Sequence, residues 1–311
     1  MMRRIGTVAL PVLMLFCLPT FVGAQQEAMY SQYVFNALAI NPAYSGSREM
    51  ISATALYRSQ WVGMRGAPKT QTLSFDSPLA DGKMGLGLQF FNDKIGIART
   101  SGIYTSYAYR IKMENSTLAF GMQAGVTNYR AAYSEVGLNS GAGSDVAFKD
   151  DINAYALNVG TGVYFNTEKF YFGVSVPHLL NNRLADALSI EPQTSKYLHL
   201  FVASGYVVSL NEDYKLKPSF LIKGVKGAPL SVDLNASLWI HDIFSVGTQY
   251  RHKADIGAVM EYQISSNLRL GYSYDRSTTR LVDYNSGSHE VMLRYDFSFS
   301  KPGAVLTPRY F

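Results

Sequence analysis

The sequence feature that most constrains the fold is an alternation of apolar and polar side chains at every second position. It begins near Met50 and continues almost to the C-terminus. Residues Leu230 to His241 show it most clearly, with leucine, valine, alanine and isoleucine at the even positions and mainly polar residues at the odd ones. A period of two is typical of β-strands with one apolar face. We count fourteen such segments, and splitting or merging one pair would give twelve or sixteen.

The lengths of the segments and of their links indicate how these strands are arranged. Most segments are close to the roughly 9 to 11 residues that a tilted strand needs to cross a bilayer. Short links such as Asn211 to Asp213 alternate with long ones such as Arg130 to Ile152 and His178 to Ser195, and Asp93 to Thr100 is expected to be another long link. Outer-membrane barrels have short periplasmic turns and longer outer loops. The sequence therefore predicts an all-β fold, a transmembrane antiparallel β-barrel of about 14 strands over residues 50–300.

A soluble β-sandwich is the alternative fold that also produces a period of two. Its strands are usually shorter, about 5 to 6 residues. Tyrosines near strand ends favour the barrel, because aromatic residues gather at membrane interfaces. These tyrosines are Tyr57, Tyr109, Tyr129, Tyr214, Tyr250, Tyr262 and Tyr274. The secretory signal in residues 1–24 also favours the barrel. In lipid the sheet must close on itself, since lipid cannot satisfy backbone N–H and C=O groups.

The polar faces of the strands are expected to line the lumen of the barrel. They carry both acidic and basic side chains, which predicts ion pairing inside the barrel rather than a strongly anion-selective or cation-selective pore. The candidate lumen residues are Arg110, Lys112, Asp233, Arg251, Glu261, Arg269, Asp275, Arg294 and Asp296.

Residues 1–24 have the features of a secretory signal peptide, with two arginines near the start, an apolar core from Val8 to Phe21 and a small-residue cleavage site at Ala24. An N-terminal membrane anchor is the alternative, although the apolar core is short and contains two prolines. The only cysteine, Cys17, lies in this segment, so no disulfide is expected in the mature chain. Loss of the two arginines takes the formal net charge from +5 to +3, which is too weak to indicate nucleic-acid binding.

Residues 25–49 precede the first strand and contain an uncharged, aromatic stretch from Met29 to Gly46. Its apolar residues follow neither the two-residue period of a strand nor the 3.6-residue period of a helix. Such a stretch is costly to leave in water. We expect it to fill the lumen or cover its periplasmic mouth, as a plug or lid, with a disordered leader as the alternative. Its candidate residues are Tyr30, Ser31, Gln32, Tyr33, Asn36, Asn41, Pro42, Tyr44 and Gly46. Residues 301–311 are expected to form a periplasmic tail.

Side chains that carry chemistry are scattered along the chain. The five histidines do not have metal-ligand spacing, and neither a GxSxG nucleophile turn nor a phosphate-binding glycine loop is present. Glycines at alternate positions, such as Gly85 and Gly87 or Gly160 and Gly162, are interpreted as small lumen-side residues that permit sheet curvature. The sequence predicts no catalytic residue, no cofactor and no metal site.

Five motifs, in this order along the chain, resemble the PorP/SprF family of type IX secretion and gliding-motility outer-membrane proteins of Bacteroidetes. They are Tyr30-Ser-Gln-Tyr33, Asn36 with Asn41-Pro-Ala-Tyr44 and Gly46, Tyr57-Arg58-x-Gln60-Trp61, His289-Glu-Val-Met-Leu-Arg-Tyr-Asp296, and Pro308-Arg-Tyr-Phe311. The motifs cover the whole mature chain. Ala37 departs from the family pattern, which has proline after asparagine at this point.

The resemblance implies a non-enzymatic barrel in the outer membrane that helps to export or anchors a secreted partner. The expected partner is a cell-surface adhesin or other type IX cargo, bound through its C-terminal domain at the outer loops. The periplasmic type IX ring, peptidoglycan-linked lipoproteins and membrane lipid are further expected partners.

A FadL-like outer-membrane channel for small apolar solutes is the alternative function. Fatty-acid channels also combine a fourteen-stranded barrel with an N-terminal plug. A barrel enzyme that acts on lipid is a third hypothesis, and it is weakened because the sequence offers no matched nucleophile and base.

Overall fold

The alternating segments pair in chain order and close into a barrel. The structure is a computed structural model that describes residues 36–135, 150–180, 198–225 and 228–297. Every strand is antiparallel to the next, and the last strand pairs with the first, from Ile51 with Phe297 to Ser59 with His289. The fourteen strands are β1 (Ile51–Ser59), β2 (Lys69–Leu79), β3 (Met84–Ile95), β4 (Ala98–Lys112), β5 (Thr117–Ala131), β6 (Ile152–Asn166), β7 (Phe170–Val176), β8 (His199–Tyr206, continued as Val208–Ser209), β9 (Tyr214–Val225), β10 (Ser231–Ile240), β11 (Phe244–Arg251), β12 (Asp255–Gln263), β13 (Leu268–Ser277) and β14 (Ser288–Phe297).

Strand β8 is interrupted at Val207 for a reason that the sequence contains. Both of its parts pair with β9, through Gly205 with Ser219 and Val208 with Leu216. Pro218 of β9 lies between these two pairs and lacks a backbone N–H, so the ladder cannot continue at this point. Val207 turns its own N–H to the carbonyl of Lys169, at 2.7 Å. The two parts are therefore one strand, and the predicted count of fourteen is confirmed.

One predicted link was wrong. Asp93 to Thr100 was expected to be a long loop, but β3 and β4 continue through it and leave only Gly96 and Ile97 as the turn. The polar residues from Asp93 to Thr100 resemble a loop in the sequence because they lie in the part of the β3–β4 hairpin that extends beyond the lipid-facing apolar surface of the barrel. Asp93 faces inward there and accepts a hydrogen bond from Thr70 Oγ1 at 2.6 Å.

The two faces of the sheet have opposite character, with apolar side chains outside and polar side chains inside. On β2, Leu73 and Phe75 point outward and are 39% and 37% exposed, whereas Thr72 and Ser74 point inward and are each 4% exposed. A water-soluble sandwich has the reverse arrangement. The exterior therefore suits lipid, and the transmembrane β-barrel is confirmed as the fold.

Five of the tyrosines that favoured the barrel, Tyr57, Tyr109, Tyr214, Tyr250 and Tyr262, are exposed. They lie near strand ends, where aromatic side chains meet the membrane interface. Within the described ranges, no helix is long and apolar enough to cross a membrane.

Candidate functional site

The candidate site is the interior of the barrel, which is filled from the periplasmic end by the N-terminal segment (residues 36–48). Two short 3-10 helices, Ala37–Ala39 and Pro42–Tyr44, shape this segment. Asn41 caps the second helix, since its side-chain oxygen accepts a hydrogen bond from the N–H of Ala43 at 3.0 Å. Pro42 fits the first position of the helix because its φ is already fixed. Ala37, where the resemblance expects proline, begins the first helix.

The N-terminal segment is packed as tightly as a protein core. Ala43 and Ser45 are completely buried, and Tyr44 is 3% exposed. Leu38, Ala43 and Tyr44 form a hydrophobic cluster with wall residues that include Tyr164 and Tyr171. The rings of Tyr44 and Tyr164 meet edge to face, with their centroids 5.4 Å apart. Burial of these aromatic and aliphatic groups supplies the main favourable free energy for seating the segment.

Three wall glycines make room for the N-terminal segment, and we call them the glycine cradle: Gly85 of β3, Gly121 of β5 and Gly162 of β6. A Cβ atom at Gly85 would lie 2.0 Å from the carbonyl oxygen of Ser45, and one at Gly121 would lie 2.1 Å from the nitrogen of Ala43. At Gly162 it would lie 2.2 Å from Asn41 Oδ1. Gly85 and Gly162 were interpreted as small lumen-side residues that permit sheet curvature; the structure places both of them, and Gly121, in direct contact with the N-terminal segment.

Hydrogen bonds fix the segment to four strands of the wall. Asn41 Nδ2 donates to the carbonyl of Val163 at 3.0 Å, and the hydroxyl of Ser175 donates to the carbonyl of Ile40. Further bonds join Ser45 Oγ to Ser106 Oγ at 2.8 Å and Ser74 Oγ to Asn36 Oδ1 at 3.1 Å. These four polar atoms of the segment therefore have partners on β2, β4, β6 and β7.

The end of the segment is bound by carboxylates of the wall. Arg48 Nη2 donates to Asp296 Oδ2 at 3.1 Å, and Ser52 also donates to Asp296. The N–H of Gly46 donates to Asp76 Oδ2 at 3.3 Å. Gly46 has a φ of +68°, a conformation that favours glycine, and the chain reverses there before entering β1.

The opposite half of the lumen, formed by β9–β14 and β1, holds a network of buried charges. Arg58 Nη1 contacts both Asp275 at 2.9 Å and Glu290 at 3.0 Å, and all three side chains are at most 1% exposed. Asp233 contacts Arg251 and Lys223, each at 3.0 Å. Charges buried so deeply are stable only when they are paired. The contacts of Arg58 link β1, β13 and β14 inside the lumen, and the contacts of Asp233 link β9, β10 and β11.

A second layer of charges lies nearer the periplasm. Arg269 Nη1 contacts Glu261 at 3.5 Å, and its guanidinium carbon lies 4.9 Å from the ring centroid of Trp239. Arg294 donates to Thr54 Oγ1 at 3.1 Å. This layer adjoins the Arg48–Asp296 contact, so the wall network and the N-terminal segment are continuous.

The remaining predicted lumen residues have distinct positions. Arg110 is buried, at 2% exposure. Lys112 lies at the periplasmic mouth instead of deeper in the lumen; its side chain is 43% exposed, and its Nζ is 3.4 Å from Glu49. The predicted residues Tyr30, Ser31, Gln32 and Tyr33, the signal peptide and the tail at 301–311 lie outside the described residues.

On the outer side, residues after β7 turn into the barrel. Gln123 Nε2 donates to the carbonyl of Pro177 at 2.9 Å, and the N–H of Leu179 donates to the carbonyl of Val159 at 2.8 Å. Asn158 and His178 are joined by a 2.7 Å hydrogen bond. This segment covers β4–β6 above the N-terminal segment, so that side of the lumen is filled from both ends.

The outer rim is ordered by contacts between loops. Val62 exchanges backbone hydrogen bonds with the loop after β13, through Gly287 and Ser286, each at 2.8 Å. On the other side, the N–H of Gly96 donates to the carbonyl of Gly66 at 2.8 Å. The first outer loop therefore joins two neighbouring loops into one surface.

The base of the loop between β5 and β6 is also ordered. The N–H of Ser134 donates to Asp151 Oδ1 at 3.0 Å, which holds the pKa of that carboxyl below its usual range. Within the described ranges, no group of three or more histidine, cysteine, aspartate or glutamate side chains is placed to hold a metal ion.

Several structural residues were missed in the sequence. Arg48, Arg58 and Glu290 were not among the candidate lumen residues, although Arg58 and Glu290 lie in motifs that carry the resemblance. The signal for Arg48 was its position as the first charge after an uncharged stretch. A charge at that point is expected to meet a partner as the segment leaves the lumen.

A family model described as "Type IX secretion system membrane protein PorP/SprF" matches residues 22–295. A comparison with curated proteins finds no match. Among solved structures, the chain is similar to the outer membrane protein Omp33 of Acinetobacter baumannii, at 9% identity and a TM-score of 0.45, over 80% of this chain and 98% of that one. It is also similar to the CymD monoaromatic hydrocarbon channel, at 11% identity and a TM-score of 0.48, over 88% of this chain and 94% of that one.

Proposed function

The chain belongs to the PorP/SprF family of type IX secretion membrane proteins and is a β-barrel of the outer membrane; on that premise we propose that it is a non-enzymatic anchor for a secreted partner. The partner is a cell-surface adhesin or other type IX cargo, which the barrel holds or helps to export through the C-terminal domain of the cargo. The periplasmic mouth would face the type IX ring or peptidoglycan-linked lipoproteins.

The observation that carries this proposal is the filled lumen. Ala43 and Ser45 of the N-terminal segment are fully buried against the wall, and the other half of the lumen is occupied by ion pairs. A cargo protein cannot pass through such an interior without displacing the segment. The partner is therefore bound at a rim of the barrel rather than in its lumen.

The outer rim supports this role because it offers an ordered surface. Loops that are joined by backbone hydrogen bonds, as at Val62 and Gly96, lose little conformational entropy when a partner binds. Tyr284, in the loop after β13, is 72% exposed and gives this surface a large aromatic side chain.

Strand β6 offers a second feature that a partner can use. β7 pairs with β6 only from Thr161 to Asn166, and Leu179 adds one further bond at Val159. Above that point, Tyr155 and Leu157 are 63% and 69% exposed, compared with 38% for Val163 lower on the same strand. Among the described residues, the β7 side of this upper stretch has no strand beside it. An extended segment of the cargo domain would add to such an edge by main-chain hydrogen bonds.

Site-specific photo-crosslinking in living cells tests the proposal. A photoreactive residue at Val62 or Tyr284 on the outer rim is expected to capture a large secreted protein, and one at Asn211 in a periplasmic turn is the matched control. Removing the C-terminal domain of the captured protein should abolish the crosslink. Equal capture from both rims, or capture that survives loss of the domain, would overturn the outer rim as the cargo-binding surface.

The FadL-like channel remains the alternative function. A barrel that contains its own N-terminal segment is also the arrangement that a gated channel requires. Conductance separates the two functions, because a transporter must open to its solute whereas an anchor has no need to open.

A further inference from the structure

Four basic residues form a continuous row across the outward face of β2–β5, near the outer ends of these strands. Lys69 pairs directly with Lys94, Lys94 with Arg99, and Arg99 with Arg130. Residues that lie directly opposite one another in a sheet share a face, and all four are exposed on the side that faces away from the lumen. We call these four residues the cationic row.

The cationic row is unfavourable in isolation. Like charges directly opposite one another destabilise a sheet. With strands about 4.8 Å apart, four positive charges lie within roughly 14 Å. None of the four forms an ion pair with a residue whose side chain the structure describes. Two nearby carboxylates are engaged elsewhere, Asp93 with Thr70 inside the barrel and Asp151 with the N–H of Ser134. An anion from outside the protein would offset the repulsion.

The rows below the cationic row show how the polarity of this outward face changes toward the membrane. One row nearer the membrane are neutral polar residues, Gln71, Asn92, Ser101 and Asn128, directly paired in the same order. Asn92 Nδ2 donates to Gln71 Oε1 at 3.3 Å, and Ser101 Oγ donates to Asn92 Oδ1 at 2.9 Å.

The next row toward the membrane is entirely apolar, and it consists of Leu73, Phe90, Ile103 and Val126. Each row is separated from the next by two residues, or roughly 7 Å along the strand. Polarity therefore rises from hydrocarbon to amide to cation within about 14 Å, as it does from the acyl chains to the headgroups of a lipid leaflet.

The periplasmic ends of the same strands have no such row. There the corresponding outward residues are Leu79, Met84, Tyr109 and Phe120, each paired with the next across neighbouring strands. These are apolar or aromatic side chains. The cationic row is therefore a property of one membrane interface and not of the strands in general.

We propose that the cationic row binds the phosphate groups of an anionic lipid of the outer leaflet. Lys and Arg side chains contact the phosphate oxygens, Arg99 and Arg130 offer paired N–H donors, and the amide row reaches the polar part of the same headgroup. The length of the row suits a headgroup with more than one phosphate. An acidic protein is a less suitable ligand, because the cations project sideways over the lipid and lie below the tip of the β3–β4 hairpin.

The test uses the full barrel reconstituted in nanodiscs of phosphatidylcholine, with lipid A as the anionic probe. Retained lipid A is measured by native mass spectrometry, and heat stability is measured from the gel mobility of the folded band. Wild-type protein should retain lipid A and gain heat stability from it. Arg99→Gln should bind about fivefold more weakly, and Lys94→Gln with Arg99→Gln should lose the effect. Arg99→Lys keeps the charge but not the paired donors, so it should lose less affinity than Arg99→Gln.

Two matched control variants test whether the loss of lipid A binding is specific to the cationic row. Arg276→Gln removes an exposed outer cation from β13, outside the row, and Lys83→Gln removes an exposed cation at the periplasmic rim. Both should bind lipid A as the wild type does. Equal binding by the double variant, or equal losses in the controls, would overturn the site.

Two further measurements distinguish a lipid ligand from other anionic ligands. If inorganic phosphate added to the detergent-solubilised barrel gave the same stabilisation as lipid A, the row would be a free-anion site and the lipid assignment would be wrong. If the double variant kept lipid A but lost the cargo crosslink, the row would bind an acidic protein instead. Since the lipid measurement needs no cargo, its failure would leave the proposed anchoring function untouched.

Discussion

Arg48 Nη2 donates a hydrogen bond to Asp296 Oδ2 across 3.1 Å, which joins the segment that fills the barrel to the last strand of its wall. The two residues are 248 positions apart in the chain. Arg48 is 6% exposed and Asp296 is 8% exposed. The contact can form only after the barrel has closed, so seating of the N-terminal segment and closure of the sheet support each other.

Replacing Arg48 by methionine is expected to lower the free energy of unfolding by about 3 kcal/mol, because it leaves the Asp296 carboxylate buried without this cation. Urea unfolding of the reconstituted barrel measures the change. Lys112→Met is the matched control, since Lys112 and Glu49 are both more than two-fifths exposed and form a solvated pair. Its cost should stay below about 1 kcal/mol. Similar costs for the two variants would contradict the buried contact.

Substituting Gly121 by alanine is expected to displace the N-terminal segment while the barrel stays folded. The added Cβ would lie 2.1 Å from the backbone nitrogen of Ala43, which has no flexible side chain to move aside. Overpacking of this kind costs about 1–3 kcal/mol.

Protease cleavage within residues 36–48 of the reconstituted protein would report the displacement. Gly224→Ala is the control, because its nearest neighbour would be the Leu230 side chain at 3.3 Å. If both variants resist the protease equally, the glycine cradle does not hold the segment.

Arg58→Met is expected to destabilise the barrel by about 3–5 kcal/mol, because Arg58 is the cation that contacts both Asp275 and Glu290 in the buried network. Adding Asp275→Asn and Glu290→Gln to the same protein should recover much of the loss, since the buried negative charges are then removed. Unfolding in guanidinium chloride measures both effects. A single variant as stable as the wild type would show that the network is hydrated rather than buried.

The architecture could be predicted from the sequence because a barrel repeats one local rule in every strand. Asp233, Arg251 and Arg269 could be assigned to the inner face from their positions in the alternation alone, and all three are buried. The choice of ion-pair partners could not be predicted. Arg58 and Glu290 are separated by 232 positions and meet because β1 and β14 are neighbours in the closed sheet.

The glycine cradle could not be inferred for a related reason. A glycine at every second position has the same local pattern whether it permits curvature or makes room for another part of the chain. Only the position of Ser45, Ala43 and Asn41 in the lumen separates the two roles. The hairpin at Gly96 was missed because its polar residues resemble a loop when the height of the strand above the membrane is unknown.

Single-channel conductance in planar bilayers tests most directly the claim that the N-terminal segment fills the lumen. Ser45 Oγ and Ser106 Oγ are 2.8 Å apart, so cysteines at both positions should form a disulfide that fixes the segment to β4. We predict that the wild type and the disulfide-linked protein are silent and that deletion of residues 25–47 opens a steady pore. A disulfide-linked protein that conducts, with or without added apolar solute, would contradict the filled lumen and favour the channel.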